Sequence, residues 1–417
     1  MSNISACIIT IGDELLIGQT IDTNSAWMAQ QLNDAGIDVL RRVAVGDVKS
    51  AIWKALDDEI PNADIVLITG GLGPTADDIT KPLLCEYFGG KMVVNETVLA
   101  HVKEMFAKRN RPFIDRNLKQ AEIPDNCIVL FNKMGTAPGM WFEKDGKVII
   151  AMPGVPFEMM GIMEHEVMPR LRKRFVSDLL LHRSIITAGE GESFIAEKIQ
   201  DLEEALPAHI RLAYLPSAGI VKLRLTGRGN NELQLINELQ LRQEEIANRL
   251  ESIVVALEDV PLEYILAKEF IEKGITLGLA ESCTGGYIAH SITQVMGSAN
   301  YFKGSIVCYN AEIKETLLGV QHSTIENHGV VSEAVAIEMV HGARKILNSD
   351  YALSITGLLS AGGNDDKVPI GTVWVAVANM DMVKTKKFHF HYDRPRNKDV
   401  AIQMAMLMLW KFLNKKL

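Results

Sequence analysis

The run Glu281-Ser282-Cys283-Thr284-Gly285-Gly286 lies where an apolar strand gives way to a helix, a turn that exposes a side chain for attack. Ser282 is a candidate nucleophile there, and Gly285 and Gly286 offer backbone N–H groups to an oxyanion. A serine needs a base, and no histidine is placed for that work. Lys314 falls on the first turn of the helix after a strand ending at Tyr309. With Ser282 it would form a Ser–Lys pair, a known variant of amide-cleaving machinery, with Tyr309 as proton relay. That role requires Lys314 to be partly desolvated, so that its neutral form is accessible near neutral pH. Pattern alone leaves rivals open. Lys314 also reads as a solvated helix lysine, Tyr309 as an aromatic at the core edge, and Cys283 as a competing nucleophile.

A second set of residues gathers in the first half. Gly12-Asp13-Glu14, Gly46-Asp47, the run from Gly70 to Thr80 and Met152-Pro153-Gly154-Val155-Pro156 each follow an apolar strand. Ligands of open parallel sheets bind at the carboxyl ends of strands. Gly71 and Gly73 would let backbone N–H groups approach a phosphate, and Thr75 stands where a helix would start. Asp13, Asp47, Asp77 and Asp78 beside such a site suggest a divalent metal neutralising the anion. The plainer reading is a set of turns, with Asp77 or Asp78 as a helix cap. Neither a GxGxxG nor a Walker A pattern is present.

Strands and amphipathic helices must hold these loops in place. At roughly 150 residues per domain, 417 residues predict two or three domains. Alternating strand and helix patterns fill residues 1–177 and 260–417, which predicts two α/β domains with mainly parallel sheets. Residues 178–259 read as a small α+β unit between them, carrying 8 basic and 14 acidic residues. Most of the formal charge of −9 therefore belongs to the spacer, and the two ends stay near neutral. Bulk charge gives no drive toward nucleic acid or membrane. Five scattered cysteines without a CxxC pair suit a reducing compartment, and no signal peptide or spanning segment is evident. A cytoplasmic protein is expected.

The motifs together resemble the CinA family (competence/damage-inducible protein A). Gly12 to Gly18, Asp22-Thr23-Asn24, Val45-Gly46-Asp47, Gly70 to Thr80 and Met152 to Pro156 are similar to its MoaB/MogA-type first domain. Glu281 to Gly286, Gly297-Ser298, Tyr309-Asn310 with Lys314, Val331-Ser332-Glu333 and Thr356-Gly357 are similar to its nicotinamide-nucleotide amidase domain. The resemblance implies deamidation of nicotinamide mononucleotide to nicotinate mononucleotide and ammonia, with no cofactor. It makes Ser282 the nucleophile, places Tyr309 and Lys314 in proton transfer, and has Thr284, Gly285, Gly286 and Thr356 line the substrate site. Arg394 or Arg396 would hold the phosphate. For the first domain it implies hydrolysis of ADP-ribose with magnesium, manganese or cobalt, and for the whole chain a homodimer. The middle unit resembles the family's KH-like domain, but Gly189-Glu190-Gly191-Glu192 would repel a phosphate backbone, so nucleic-acid binding is not expected. One departure stands out. The family continues Thr-Gly with Ile-Ala-Gly-Pro, where this chain has Leu358-Leu359-Ser360-Ala361, losing a glycine and a fixed proline φ. The alternative is a non-catalytic protein that holds a pterin or a partner, linked to molybdenum cofactor handling or to competence and DNA repair.

Overall fold

The computed structural model describes residues 4–75, 78–175, 179–361 and 368–417. It falls into two compact units, Met1–Leu181 with Thr226–Glu238, and His182–Leu225 with Leu239–Leu417. The first eight strands are β1 (Ser5–Ile11), β2 (Asp38–Val45), β3 (Ile65–Thr69), β4 (Met92–Val94), β5 (Glu122–Pro124), β6 (Ile128–Leu130), β7 (Gly139–Lys144) and β8 (Lys147–Met152). Six of them form a sheet ordered β2-β1-β3-β8-β7-β6, and β4 pairs with β5 separately. Its parallel part, β2-β1-β3-β8, brings all four glycine- and aspartate-bearing loops to one edge.

Side chains of β1 alternate between two helix layers. Ala6 and Ile8 pack with Met28, Leu32 and Ile162, while Ile9 and Ile11 pack with Ile52, Leu56 and Val102. The sequence pattern predicts one helix from about Pro156 to Arg174, but a π turn, Met163–Val167, interrupts it. Pro169 follows it and has no N–H to return to the chain four residues back, so the ladder widens. The sheet is mainly parallel, as expected, with β7 and β8 joined by a hairpin and paired antiparallel. Asp145 (φ 51) and Gly146 (φ 79) make that two-residue turn, a conformation for which Asp-Gly is suited.

Buried Lys81 in the helix Thr80–Tyr87 donates to the carbonyls of Lys119 and Gln120 at 3.1 and 3.3 Å. Burial lowers its pKa to about 8 from the ordinary 10.5, against the opposing pull of Glu122 and Asp78. Between those two values the unfolded chain binds the proton and the folded chain does not, so stability must rise with pH there. The gain expected is about 3 kcal/mol. Chemical denaturation of wild type and Lys81→Met at pH 7.5 and 10 checks it. A wild-type pH response that persists in the variant would refute the assignment.

The four middle strands, β9 (Leu179–Ala188), β10 (Ile210–Ser217), β11 (Ile220–Gly229) and β12 (Val254–Ala256), form a sheet ordered β10-β11-β9-β12. Val221, Leu223 and Leu225 of β11 are buried in alternation, as the sequence pattern predicts.

The last five strands are β13 (Leu277–Glu281), β14 (Phe302–Val307), β15 (Tyr351–Gly357), β16 (Thr372–Ala378) and β17 (Val383–His389), ordered β14-β13-β15-β16-β17. The strands β14, β13 and β15 are parallel, whereas β16 and β17 run antiparallel. Val373, Val375 and Val377 point to one helix layer, while Ala376 and Ala378 point to the other. The alanines let the helix Glu333–Ile346 pack close to the sheet. Among the described residues the five cysteines are free, and no helix is long and apolar enough to cross a membrane.

Candidate functional site

Parallel pairing in the last sheet sets the ends of β13, β14 and β15 side by side, with Glu281 opposite Val307 and Ile355. Ser282 leaves β13 and its N–H donates to Ile355 O at 3.0 Å. The strand expected to end at Tyr309 stops at Val307, and Cys308 N–H donates to Glu281 O at 2.8 Å. Asn310 then caps the helix Ala311–Leu318, accepting from the Glu312 N–H. This places Lys314 at the fourth position of that helix, pointing inward with no solvent exposure.

Lys314 Nζ donates to Cys308 O at 2.6 Å and lies 3.0 Å from Ser282 Oγ. Burial lowers its pKa from the ordinary 10.5, opposed by the nearby Cys308 and Cys283 sulfurs. The pair stands by a cavity of about 410 Å³ lined by Ser282, Tyr309, Thr356, Leu359, Ser360 and Arg394, among others. That volume lies within the range of small-ligand sites. Cys283 lines it too, but burial pushes its thiol up to about 12, so its thiolate is scarce near neutral pH. Of the two candidate nucleophiles, Ser282 is the one with the Lys314 amine within hydrogen-bond distance.

The fully buried Glu281 is the residue sequence reasoning missed. Its Oε2 accepts from Thr284 Oγ1 (2.8 Å) and from the N–H groups of Gly286 (3.1 Å) and Ile288 (3.0 Å). Its Oε1 accepts from the Ala289 N–H (2.9 Å) and Ser305 Oγ (3.1 Å). The carboxylate thus fills the start of the helix Tyr287–Thr293 and braces the Ser282 turn. The only sequence signal was an acidic residue at the end of an otherwise apolar strand.

This brace corrects three expectations. The Gly286 N–H belongs to Glu281 and the Gly285 N–H donates to Ser282 O at 3.1 Å, so neither serves an oxyanion. Thr284 is buried and turned toward Glu281 rather than to substrate. The N–H groups of Cys283 and Thr284 are the ones left, since among the described residues they donate to no carbonyl or carboxylate. Glycine at 285 and 286 instead meets a backbone need, with φ at +64 and +93.

Tyr309 is 63% exposed and touches neither Ser282 nor Lys314 by a hydrogen bond; its hydroxyl accepts from Arg394 Nη2 at 2.9 Å. It enters the site through Arg394. Thr356 is buried beside the cavity and donates to Val330 O at 3.0 Å. The sequence pattern predicts a last helix from about Asn397, but Asp393 caps it three residues earlier, which puts Arg394 at its first position. Arg396 is not brought to this cavity. Its guanidinium stacks 4.4 Å from the centre of the Tyr392 ring and lines a different cleft.

In the first unit, β1 and β2 bring Asp13 and Asp47 together. The Asp13 N–H donates to Asp47 Oδ2 at 3.1 Å and the Asp47 N–H to Asp13 Oδ1 at 3.2 Å. A Cβ at Gly46 would fall 2.5 Å from Asp13 Oδ1, so glycine makes this approach possible. Asp78 accepts from the N–H groups of Gly73 and Thr75, each at 2.8 Å, and from Thr75 Oγ1. The loop is folded on its own carboxylate, so those N–H groups are not offered to a phosphate as expected. Gly71 (φ +66) allows close approach to Thr80, whose Oγ1 would meet a Cβ there at 2.2 Å. Asp77 lies outside the described residues. Asp13 and Asp47 are the expected ligands brought together, and among the described residues no group of three His, Cys, Asp or Glu side chains converges.

Comparison with known proteins agrees with this layout. Family models match the CinA C-terminal domain over residues 259–413, a probable molybdopterin binding domain over 7–173, and the damage-inducible protein CinA KH domain over 182–256. A CinA-like protein of Flavobacterium psychrophilum is 44% identical over 97% of this chain and 98% of its own length. The chain belongs to the CinA family. Another relative, the CinA-like protein of Cytophaga hutchinsonii, is 42% identical over 100% of this chain and 99% of its own. The crystal structure of competence damage-inducible protein A from Klebsiella pneumoniae is 31% identical. It covers 37% of this chain and 95% of its own, with a TM-score of 0.36.

Proposed function

We propose that the last domain is an amidase acting on nicotinamide mononucleotide. The observation that carries this is the buried Lys314 amine 3.0 Å from Ser282 Oγ at the cavity of about 410 Å³. Neutral Lys314 keeps an N–H on Cys308 O and turns its lone pair to the Ser282 hydroxyl. It takes that proton as Oγ bonds to the carboxamide carbon, and it gives the proton to the departing nitrogen as the C–N bond breaks. Ammonia leaves an acyl ester on Ser282. Water then attacks the ester with Lys314 again as base, releasing the carboxylate and restoring the serine. The Cys283 and Thr284 N–H groups supply the oxyanion contacts, and Tyr309 steadies Arg394 at the mouth.

Ammonia release from nicotinamide mononucleotide by wild type, Ser282→Ala and Cys283→Ala tests the reading. Loss in the first variant with retention in the second is expected. Equal release by wild type and Ser282→Ala would sink it. Because only neutral Lys314 is a base, kcat/KM should rise with pH and level off. The midpoint belongs below the ordinary lysine value of 10.5, since burial lowers it. A kcat/KM that falls as pH rises from 6 to 10 would exclude neutral Lys314 as the base.

For the first domain we propose ADP-ribose hydrolysis with a divalent metal, resting on the Asp13 and Asp47 pair, each of whose carboxylates accepts from the other's backbone N–H. Phosphate-containing products should require added magnesium, manganese or cobalt and fall at least tenfold in Asp47→Asn. Turnover unaffected by chelator would refute the metal.

A further inference from the structure

Arg394 stands at the mouth of the amidase cavity with its two terminal nitrogens held by neutral oxygens. Nη1 donates to Ser360 Oγ and Nη2 to Tyr309 Oη, each at 2.9 Å. Among the described residues no carboxylate pairs with it. A guanidinium carries five donors, so both bonds can persist while further N–H groups face the cavity. Its full charge is then available to an anion, because hydroxyls orient it without neutralising it.

The support beneath this pair is rigid. Asn397 has no solvent exposure, and its Nδ2 donates to Leu359 O (3.0 Å) and Tyr392 O (2.8 Å). Its Oδ1 accepts from the Tyr392 N–H at 3.0 Å. Leu359 is itself buried in the core, and Asp393 caps the helix by accepting from the Arg396 N–H. Loop 358–361 and the first turn of the helix Arg394–Leu413 are therefore fastened to each other on either side of the Ser360–Arg394 bond. Such fixing removes much of the side-chain entropy that an arginine otherwise loses on binding.

We infer that Ser360 is a positioning residue that aims Arg394 at a phosphomonoester, so that the site selects phosphorylated amides over their unphosphorylated nucleosides. This rests on the amidase reading for the identity of the ligand.

Binding and turnover separate the two ideas. Calorimetry in a Ser282→Ala background, which cannot turn over, compares nicotinamide mononucleotide with nicotinamide riboside. Adding Ser360→Ala is expected to weaken the nucleotide about tenfold, roughly 1.4 kcal/mol, and leave the riboside unchanged. Ser360→Thr, which keeps the hydroxyl, restores nucleotide affinity. In the otherwise wild-type enzyme Ser360→Ala raises KM for the nucleotide and spares kcat. An unchanged nucleotide affinity, an equal loss for both ligands, or no nucleotide binding at all overturns the inference. Nucleotide binding that depends on Ser360 without any ammonia release sinks the amidase reading and leaves the anion clamp standing.

Discussion

Lys314→Met and Ser282→Ala are each expected to lower kcat for ammonia release by at least about 10³-fold, and the double variant to lose no more than either. Residues that act in one proton transfer are not additive, since removing either ends the step. The lysine variant also separates catalysis from folding. Methionine spares the cost of burying an amine whose charged form burial disfavours. It leaves Cys308 O without the donor now at 2.6 Å, which costs about 1–3 kcal/mol. These effects oppose each other, so thermal stability should change little while activity disappears. A Lys314→Met protein keeping a tenth of its activity would remove Lys314 from the mechanism.

Glu281→Gln is expected to destabilise the nucleophile turn by about 3–5 kcal/mol. Five donors meet one carboxylate, and an amide can accept at only one of its two ends. The best orientation places the new NH₂ toward Ser305, whose hydroxyl can rotate to accept. The Ala289 N–H cannot rotate and is left unmet, while the three donors on the other side lose a charged acceptor. Hydrogen exchange at Gly286, Ile288 and Ala289 should quicken by two to three orders of magnitude, on the basis of about 1.4 kcal/mol per tenfold. Activity should fall with it, because the same bonds fix Ser282. Unaltered protection at these amides would mean that Glu281 does not brace the turn.

Sequence periodicity located most elements of the two α/β domains. The helix Ala311–Leu318 and the strand Thr372–Ala378 begin and end where the pattern predicts. The boundary error has a local cause that could have been read. Asp393 followed by Pro395 signals an earlier start to the last helix. The resemblance carried by Glu281 to Gly286 and Gly70 to Thr80 pointed to the CinA family, and the family matches agree.

The site was legible only as a set of residues. Sequence determined that Ser282 follows a strand on a glycine-bearing turn, and that Lys314 occupies a helix. It could not decide which arginine faces the cavity, or where the turn's N–H groups go. Tertiary structure decided these by burial and by contacts across long separations. Lys314 meets Ser282 from 32 residues away, and Arg394 meets Tyr309 from 85. Proton affinity depends on what surrounds a group rather than on its chain neighbours. The same lysine gives up its proton more readily when enclosed beside Cys308 O than when solvated, and only the packed fold distinguishes the two.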